Sequence, residues 1–177
     1  MARTGADLIV ETLDEYGVER LFGNPGTTEL PITEAVADGD VEYVLSLHED
    51  AAVGAAAGYA SAARHIGETR PGVVNLHVVP GLAHGLGNVY GAMRSGVPLV
   101  VTAGTHETSF QEQDPVLSGK LVETAEPHVK YAAEAKSTEA LPTVLRRAFR
   151  EELTPPTGTV FVAFPLDVTT AETDFTP

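Results

Sequence analysis

The chain reads as an α/β protein, with a parallel sheet between two layers of helices. Three observations carry this reading. Short apolar runs alternate with segments of helical period, the pattern of a parallel sheet joined by crossover helices. Pro98 to Thr102 is a nearly continuous apolar run, as expected of a strand covered on both faces. Glycine and polar clusters directly follow several strands, at Gly23–Thr28, His48–Glu49, His77–Gly81 and Gly104–Gln113. In open parallel sheets ligands sit beyond the carboxyl ends of the strands, where chain direction reverses. These clusters are therefore expected to converge at one edge.

The elements follow in order. Ala6, Ile9, Val10 and Leu13 recur at helical spacing, and Gly17 is a plausible cap. Arg20-Leu21-Phe22 is a short strand running into the turn residues Gly23-Asn24-Pro25-Gly26, and a helix is expected from about Leu30 to Ala37. Val41 to Leu47 is a second strand. The alanine-rich segment Ala51 to Arg64 favours helix, and its Gly54 and Gly58 allow close backbone packing. Val73 to Leu76 is a third strand, followed by a glycine-rich turn and helix from Gly81 to about Met93, and Pro98 to Thr102 is a fourth. Thr105 to about Tyr131 is polar and irregular, and long loops of this kind are often functional. A helix then carries the stripe Leu141, Val144, Leu145, Ala148 and Phe149, and Thr159 to Phe164 is the last strand. The acidic, threonine-rich tail from Thr169 reads as the start of a linker. One domain is expected over residues 1–168.

Composition narrows the function. With 177 residues, one sizeable core is expected. Acidic residues number 25 against 11 basic, a formal charge of −14, which argues against nucleic acid and anionic lipid as partners. Only three of the cations are lysines, Lys120, Lys130 and Lys136, and this suggests an acidic surface suited to high salt, as in a halophile. No cysteine is present, so thiolate chemistry is excluded. No run is apolar enough to span a bilayer and no signal pattern opens the chain, which fits a cytoplasmic location.

Candidate chemistry centres on Glu49 at a strand-to-helix junction. Alone, a carboxylate there is best explained as a helix cap. The small residues after it leave room for a flat group against the backbone. His77, ending the third strand, and His84, in the glycine-rich turn, are each either structural or proton-shuttling. His48 is expected to point away from Glu49. The run Gly81 to Gly87 lacks the dinucleotide-loop order, no Gly-x-Ser-x-Gly elbow occurs, and the histidines show no metal-ligand spacing.

Four segments together resemble the N-terminal domain of the thiamine-diphosphate (ThDP) enzymes of the benzoylformate decarboxylase and acetolactate synthase superfamily. They are Phe22 to Pro31; His48-Glu49 with Ala51-Ala52, Gly54 and Ala57-Gly58-Tyr59-Ala60; Asn75-Leu76-His77 with Gly81, Gly87 and Ser95 to Gly104; and Gly158 to Val168. The resemblance covers nearly the whole chain. It implies a three-layer α-β-α domain with a parallel, flavodoxin-like sheet, the ThDP-binding fold of pyrimidine type. It also implies that Glu49 hydrogen-bonds N1′ of the aminopyrimidine and favours the tautomer that takes a proton from the thiazolium C2. Asn24, Pro25, Gly26, Gly81 and His84 would lie against the cofactor, and Thr27 against a 2-oxoacid substrate. His77 falls on a catalytic histidine of benzoylformate decarboxylase, whereas Ser109-Phe110-Gln111-Glu112 resembles a synthase loop lining the substrate site. His84 departs from the family, which often has asparagine there. The family holds Mg2+ and the diphosphate in another domain through a Gly-Asp-Gly motif, and here the only Gly-Asp, Gly39-Asp40, is followed by valine.

The expected function is thus the pyrimidine-binding half of a 2-oxoacid decarboxylase, inactive alone and completed by a diphosphate-binding domain, as a homodimer or tetramer. The chain would be either a piece of a longer enzyme, with residues 169–177 leading to a middle domain, or one subunit of a split enzyme. The alternatives are an acetolactate synthase-type carboligase and a non-catalytic dimerisation domain.

Overall fold

The computed structural model describes residues 3–176. Among these residues six strands form one all-parallel sheet: β1 (Arg20–Gly23), β2 (Glu42–Leu45), β3 (Gly72–His77), β4 (Leu99–Thr105), β5 (Tyr131–Glu134) and β6 (Thr159–Pro165). Their order is β2-β1-β3-β4-β6-β5. The helices are α1 (Gly5–Glu15), α2 (Leu30–Ala37), α3 (Glu49–His65), α4 (Val78–Arg94), the short α5 (Thr108–Gln111) and α6 (Leu121–Ala125), then α7 (Leu141–Leu153) and α8 (Leu166–Thr170). Among the described residues, no helix is long and apolar enough to cross a membrane.

Alternation along the strands divides the core into two layers. Val73, Val100, Val160 and Val162 face one way and pack with Ala6, Ile9 and Leu13 of α1 and Leu141, Leu145 and Phe149 of α7. Their neighbours Val74, Val101 and Phe161 face the other way, onto Ala52, Val53 and Ala56 of α3, Leu82 and Val89 of α4 and Leu121 of α6. A strand turns successive side chains to opposite faces, so runs apolar at every position need cover on both. β4 and β6 are buried at every residue. The three-layer parallel architecture expected from the sequence is the one observed.

Local signals set the element ends. Thr4 and Asp7 form a reciprocal capping box at α1, and Gly17, at φ 66°, returns its N–H to Asp14. The small residues of α3 and α4 let these helices approach closely. A Cβ on Gly85 would stand 2.9 Å from Val53 Cγ2, and one on Gly54 would stand 3.1 Å from Asn88 Nδ2.

Four sequence expectations are corrected. α4 begins at Val78, not Gly81, directly after β3; Pro80 lies in the first turn, where its missing N–H costs nothing. Val78 is consequently held at φ 41°, a strained conformation for a β-branched residue. The stretch read as irregular holds α5, α6 and a 3₁₀ turn, and Tyr131 opens the short edge strand β5, whose Ala132-Ala133 has weak strand propensity. The last strand is followed by one turn of helix, α8. Finally, the tail does not simply leave the domain. Thr4 bridges Glu172, Thr173 N–H donates to Arg3 O, and Arg3 donates to Phe175 O.

One buried carboxyl stands outside any network. Glu152 of α7 is fully buried, and neither oxygen has a partner among the described residues. Burial pushes its pKa well above the carboxylate range, against the pull of the Lys130 charge. A carboxyl held protonated in the fold lends stability below its unfolded pKa and loses it as pH rises towards the raised value. Glu152→Gln is therefore expected to flatten the fall in unfolding free energy between about pH 5 and about pH 8, and to stabilise the chain at the upper end. Urea denaturation at both pH values checks this; an unchanged slope would remove Glu152 as its source.

Candidate active site

The strand order reverses between β1 and β3, where the chain goes outward to β2 and then returns. The carboxyl ends of these strands deliver the loop Asn24–Thr28 and His77, while β2 leads to His48 and Glu49. The switch point therefore gathers three of the four clusters singled out in the sequence.

Glu49 is the first residue of α3 and is 8% exposed. Asn24 Nδ2 donates to its Oε1 at 3.2 Å, and His84 Nδ1 lies 3.0 Å from its Oε2. Burial pushes the carboxyl pKa up. The free backbone N–H at the helix start, the hydrogen bonds from His84 and Asn24 and the charge of His84 together outweigh it, and the group is held below its ordinary value. Glu49 is thus an ionised carboxylate with lone pairs to spare. Gly81 keeps the space beside it open, since a Cβ there would stand 3.4 Å from Glu49 Cγ and 3.5 Å from Oε1.

A second carboxylate, not singled out in the sequence, organises the site. Glu29 ends a 3₁₀ turn over Thr27–Glu29 and is fully buried. Its Oε2 accepts from Gly26 N–H at 2.9 Å and faces His77 Nδ1 at 2.7 Å. Its Oε1 accepts from the Thr28 hydroxyl at 2.6 Å and from Gly104 N–H at 2.9 Å. A Cβ on Gly104 would collide with this oxygen, and one on Gly26 would enter the His77 ring. The Gly-x-x-Glu spacing of a carboxylate reaching back to a backbone N–H was available in the sequence as a signal. The contacts with β3 and β4 were not.

His77 is half-buried. Its hydrogen bond to Glu29 raises its pKa above the ordinary value; burial opposes this, and the charges of Glu29 and Glu49 assist it. With Nδ1 engaged by Glu29 and 3.3 Å from Thr28 Oγ1, the proton it can exchange is at Nε2. Tyr43 on β2 lies beside Gly23 with its hydroxyl buried and its pKa raised, by burial first and by Glu29 second.

The remaining candidates divide. Asn24, Gly26, Glu49, His77, Gly81 and His84 are brought together, with Pro25 in the same turn. Thr27 is exposed, and its neighbour Thr28 carries the hydroxyl that meets His77. Phe110 and Gln111 lie on α5; Phe110 packs edge-on against the His106 ring and Gln111 donates to His106 O. His48 is a correction. It does not point away: it caps α3 by accepting from Asp50 N–H, and its ring stacks on His84 at 5.1 Å. The cap conformation aims it along the helix end, across which α4 carries His84.

Comparisons bear on this geometry. The family model described as thiamine pyrophosphate enzyme, N-terminal TPP binding domain matches residues 3–128. Benzoylformate decarboxylase of Pseudomonas aeruginosa is 35% identical over 89% of this chain and 29% of that enzyme. Acetolactate synthase isozyme 3 large subunit of Escherichia coli is 34% identical over 93% of this chain and 28% of that subunit. Among solved structures, a thiamine diphosphate-dependent 4-hydroxybenzoylformate decarboxylase of Rhodococcus jostii superposes with TM-score 0.87 at 35% identity, over 96% of this chain and 31% of that one. Benzoylformate decarboxylase of Polynucleobacter necessarius superposes with TM-score 0.90 at 28% identity, over 99% of this chain and 32% of that one. The chain thus spans under a third of the length of these relatives.

The coupling of His77 to Glu29 generates a prediction. A histidine raised by a partner gives stability that is fully present below its unfolded value of about 6.5 and is lost as pH climbs through the raised value. Glu29→Gln is expected to move the His77 midpoint, read by NMR titration of the ring, down towards that ordinary value. A midpoint that does not move would disprove the coupling.

Proposed function

We propose, for a chain that belongs to the thiamine pyrophosphate enzymes and matches their N-terminal TPP-binding domain, that it is the pyrimidine-binding half of a 2-oxoacid decarboxylase of the benzoylformate decarboxylase type. The observation that carries the reading is the ionised Glu49 carboxylate at the N-terminus of α3, held by Asn24 and His84 and left open by Gly81. These residues fit the cofactor. Glu49 would hold the aminopyrimidine by its ring nitrogen, Gly81 admits a flat ring beside the carboxylate, and Asn24, Pro25, Gly26 and His84 surround it. When bound, ThDP supplies the nucleophilic carbon and the electron sink for loss of CO2.

The protein's part is proton control. Glu49 accepts the hydrogen bond that sets the state of the ring. His77, its pKa raised by the hydrogen bond to Glu29, offers Nε2 to exchange a proton with an oxygen derived from the substrate carbonyl. Two carboxylates in one site thereby take different tasks, one open to the ligand and one sealed behind the histidine. Thr27 at the exposed turn and Phe110 with Gln111 on α5 are read as substrate-facing.

We read Mg2+ and the diphosphate as ligands of another domain, on this or a second subunit, so that this chain alone is inactive and the working enzyme is a dimer or tetramer in the cytoplasm. Residues 1–168 are read as the domain and 169–177 as the lead into a further one, anchored against Arg3 and Thr4. Acetolactate synthase-type carboligation is the second reading, favoured by Ser109-Phe110-Gln111-Glu112 and by the similarity to the synthase subunit. His77 favours the first.

Two measurements test these readings. Glu49→Gln, in the protein completed by its diphosphate-binding domain, is expected to lower 2-oxoacid turnover by about 10²–10⁴-fold with the circular dichroism unchanged; near-normal turnover would sink the assignment. The acidic surface is read as an adaptation to high salt, so the melting temperature is expected to rise from dilute buffer to molar KCl. Equal stability in both would dismiss it.

A further inference from the structure

Glu49 also belongs to a group with a second chemistry. His48, Glu49 and His84 each present a ligand atom, and these atoms all lie within 4.8 Å of one another. The two imidazoles face each other at 5.1 Å with their planes 24° apart. His48 spends Nδ1 on the N–H of Asp50 and His84 turns Nδ1 to Glu49, so each ring keeps Nε2. Both histidines are exposed while Glu49 is buried beneath them. The group assembles only in the fold, since His84 stands on α4 and the other two at the start of α3. Spacing along the chain hides it.

We propose that His48, Glu49 and His84 form a binding site for a borderline divalent transition metal such as Zn2+. Two imidazoles and one carboxylate are a ligand set suited to Zn2+, leaving a coordination position for water. Mg2+ is not suited, because it prefers an octahedron of oxygens. Bonds of about 2.0–2.2 Å to Zn2+ place tetrahedral ligand atoms about 3.3 Å apart, so the group must contract. Two exposed rings on rotatable side chains can supply that movement, whereas Glu49 is already held in place by Asn24. No cysteine competes for the metal, and a chain of charge −14 draws cations to its surface.

The site has a consequence that rests on the proposed role of Glu49. A metal bound there occupies the carboxylate offered to the aminopyrimidine, so metal and cofactor exclude each other. Metal binding itself needs no cofactor, and its failure is separable from that of the functional reading.

The test is calorimetric titration of Zn2+ into the 177-residue chain at neutral pH, with MgCl2 as the control ion. One saturable Zn2+ site is expected, silent to Mg2+. His84→Asn, which retains a hydrogen-bonding group beside Glu49, and His48→Gln are each expected to weaken it by more than about tenfold, while His65→Gln at the far end of α3 leaves it unchanged. Circular dichroism of each variant reports folding, and either variant alone suffices if the other unfolds. No saturable site in the parent chain, or parent-like affinity in the folded variants of His48 and His84, would overturn the proposal.

Discussion

The buried Glu29 carboxylate ties the loop after β1 to the ends of β3 and β4. A charge fully removed from water is costly unless hydrogen bonds and an opposite charge replace its hydration. Here two backbone N–H groups, a hydroxyl and the His77 ring do so. The partners come from the loop after β1, from the end of β3 and from β4, so satisfying one carboxylate sets the mutual positions of these three segments. Two glycines follow from the same constraint, because a side chain on Gly26 or Gly104 would displace His77 or Glu29. The strained Val78 lies directly after His77, where β3 passes into α4 without a connecting loop. Such strain persists where surrounding structure over-determines it.

Glu49 shows how two carboxylates a short distance along the chain come to differ. Glu29 has all its hydrogen-bonding taken up by protein groups. Glu49 has a donor on each oxygen and an open side facing Gly81. Its position at the first residue of α3 supplies the helix-end field that, with His84 and Asn24, overcomes the cost of burial. His84 takes part in this balance as a donor that can itself carry charge. It also brings a second imidazole to His48 and so completes the cluster proposed as a metal site.

The packing of α3 against α4 makes these contacts geometrically available. Their alanines and glycines bring the two backbones close, with Asn88 of α4 donating to Asp50 of α3. Larger residues at Gly54 or Gly85 would separate the helices and withdraw His84 from Glu49. The alanine-rich composition of α3, which reads at first as helix propensity, thus serves positioning as much as local structure.

The sequence by itself determined the parallel three-layer fold, five of the six strands, the five longer helices and the candidacy of Glu49 and His77. Short apolar runs, helical patterning, turn residues and small-residue runs are local and legible, and the four-segment resemblance carried the rest. It missed β5, since Tyr131-Ala132-Ala133-Glu134 has no strand signal apart from its pairing with β6. It also missed Glu29, the inward aim of His48 and the anchoring of the tail. Only tertiary structure decided these. The partners of Glu29 lie on β3 and β4, that of His48 on α4, and those of the tail at Arg3 and Thr4. Whether a polar side chain is a solvated surface group or a buried organiser depends on partners distant in the chain, and no local pattern records them.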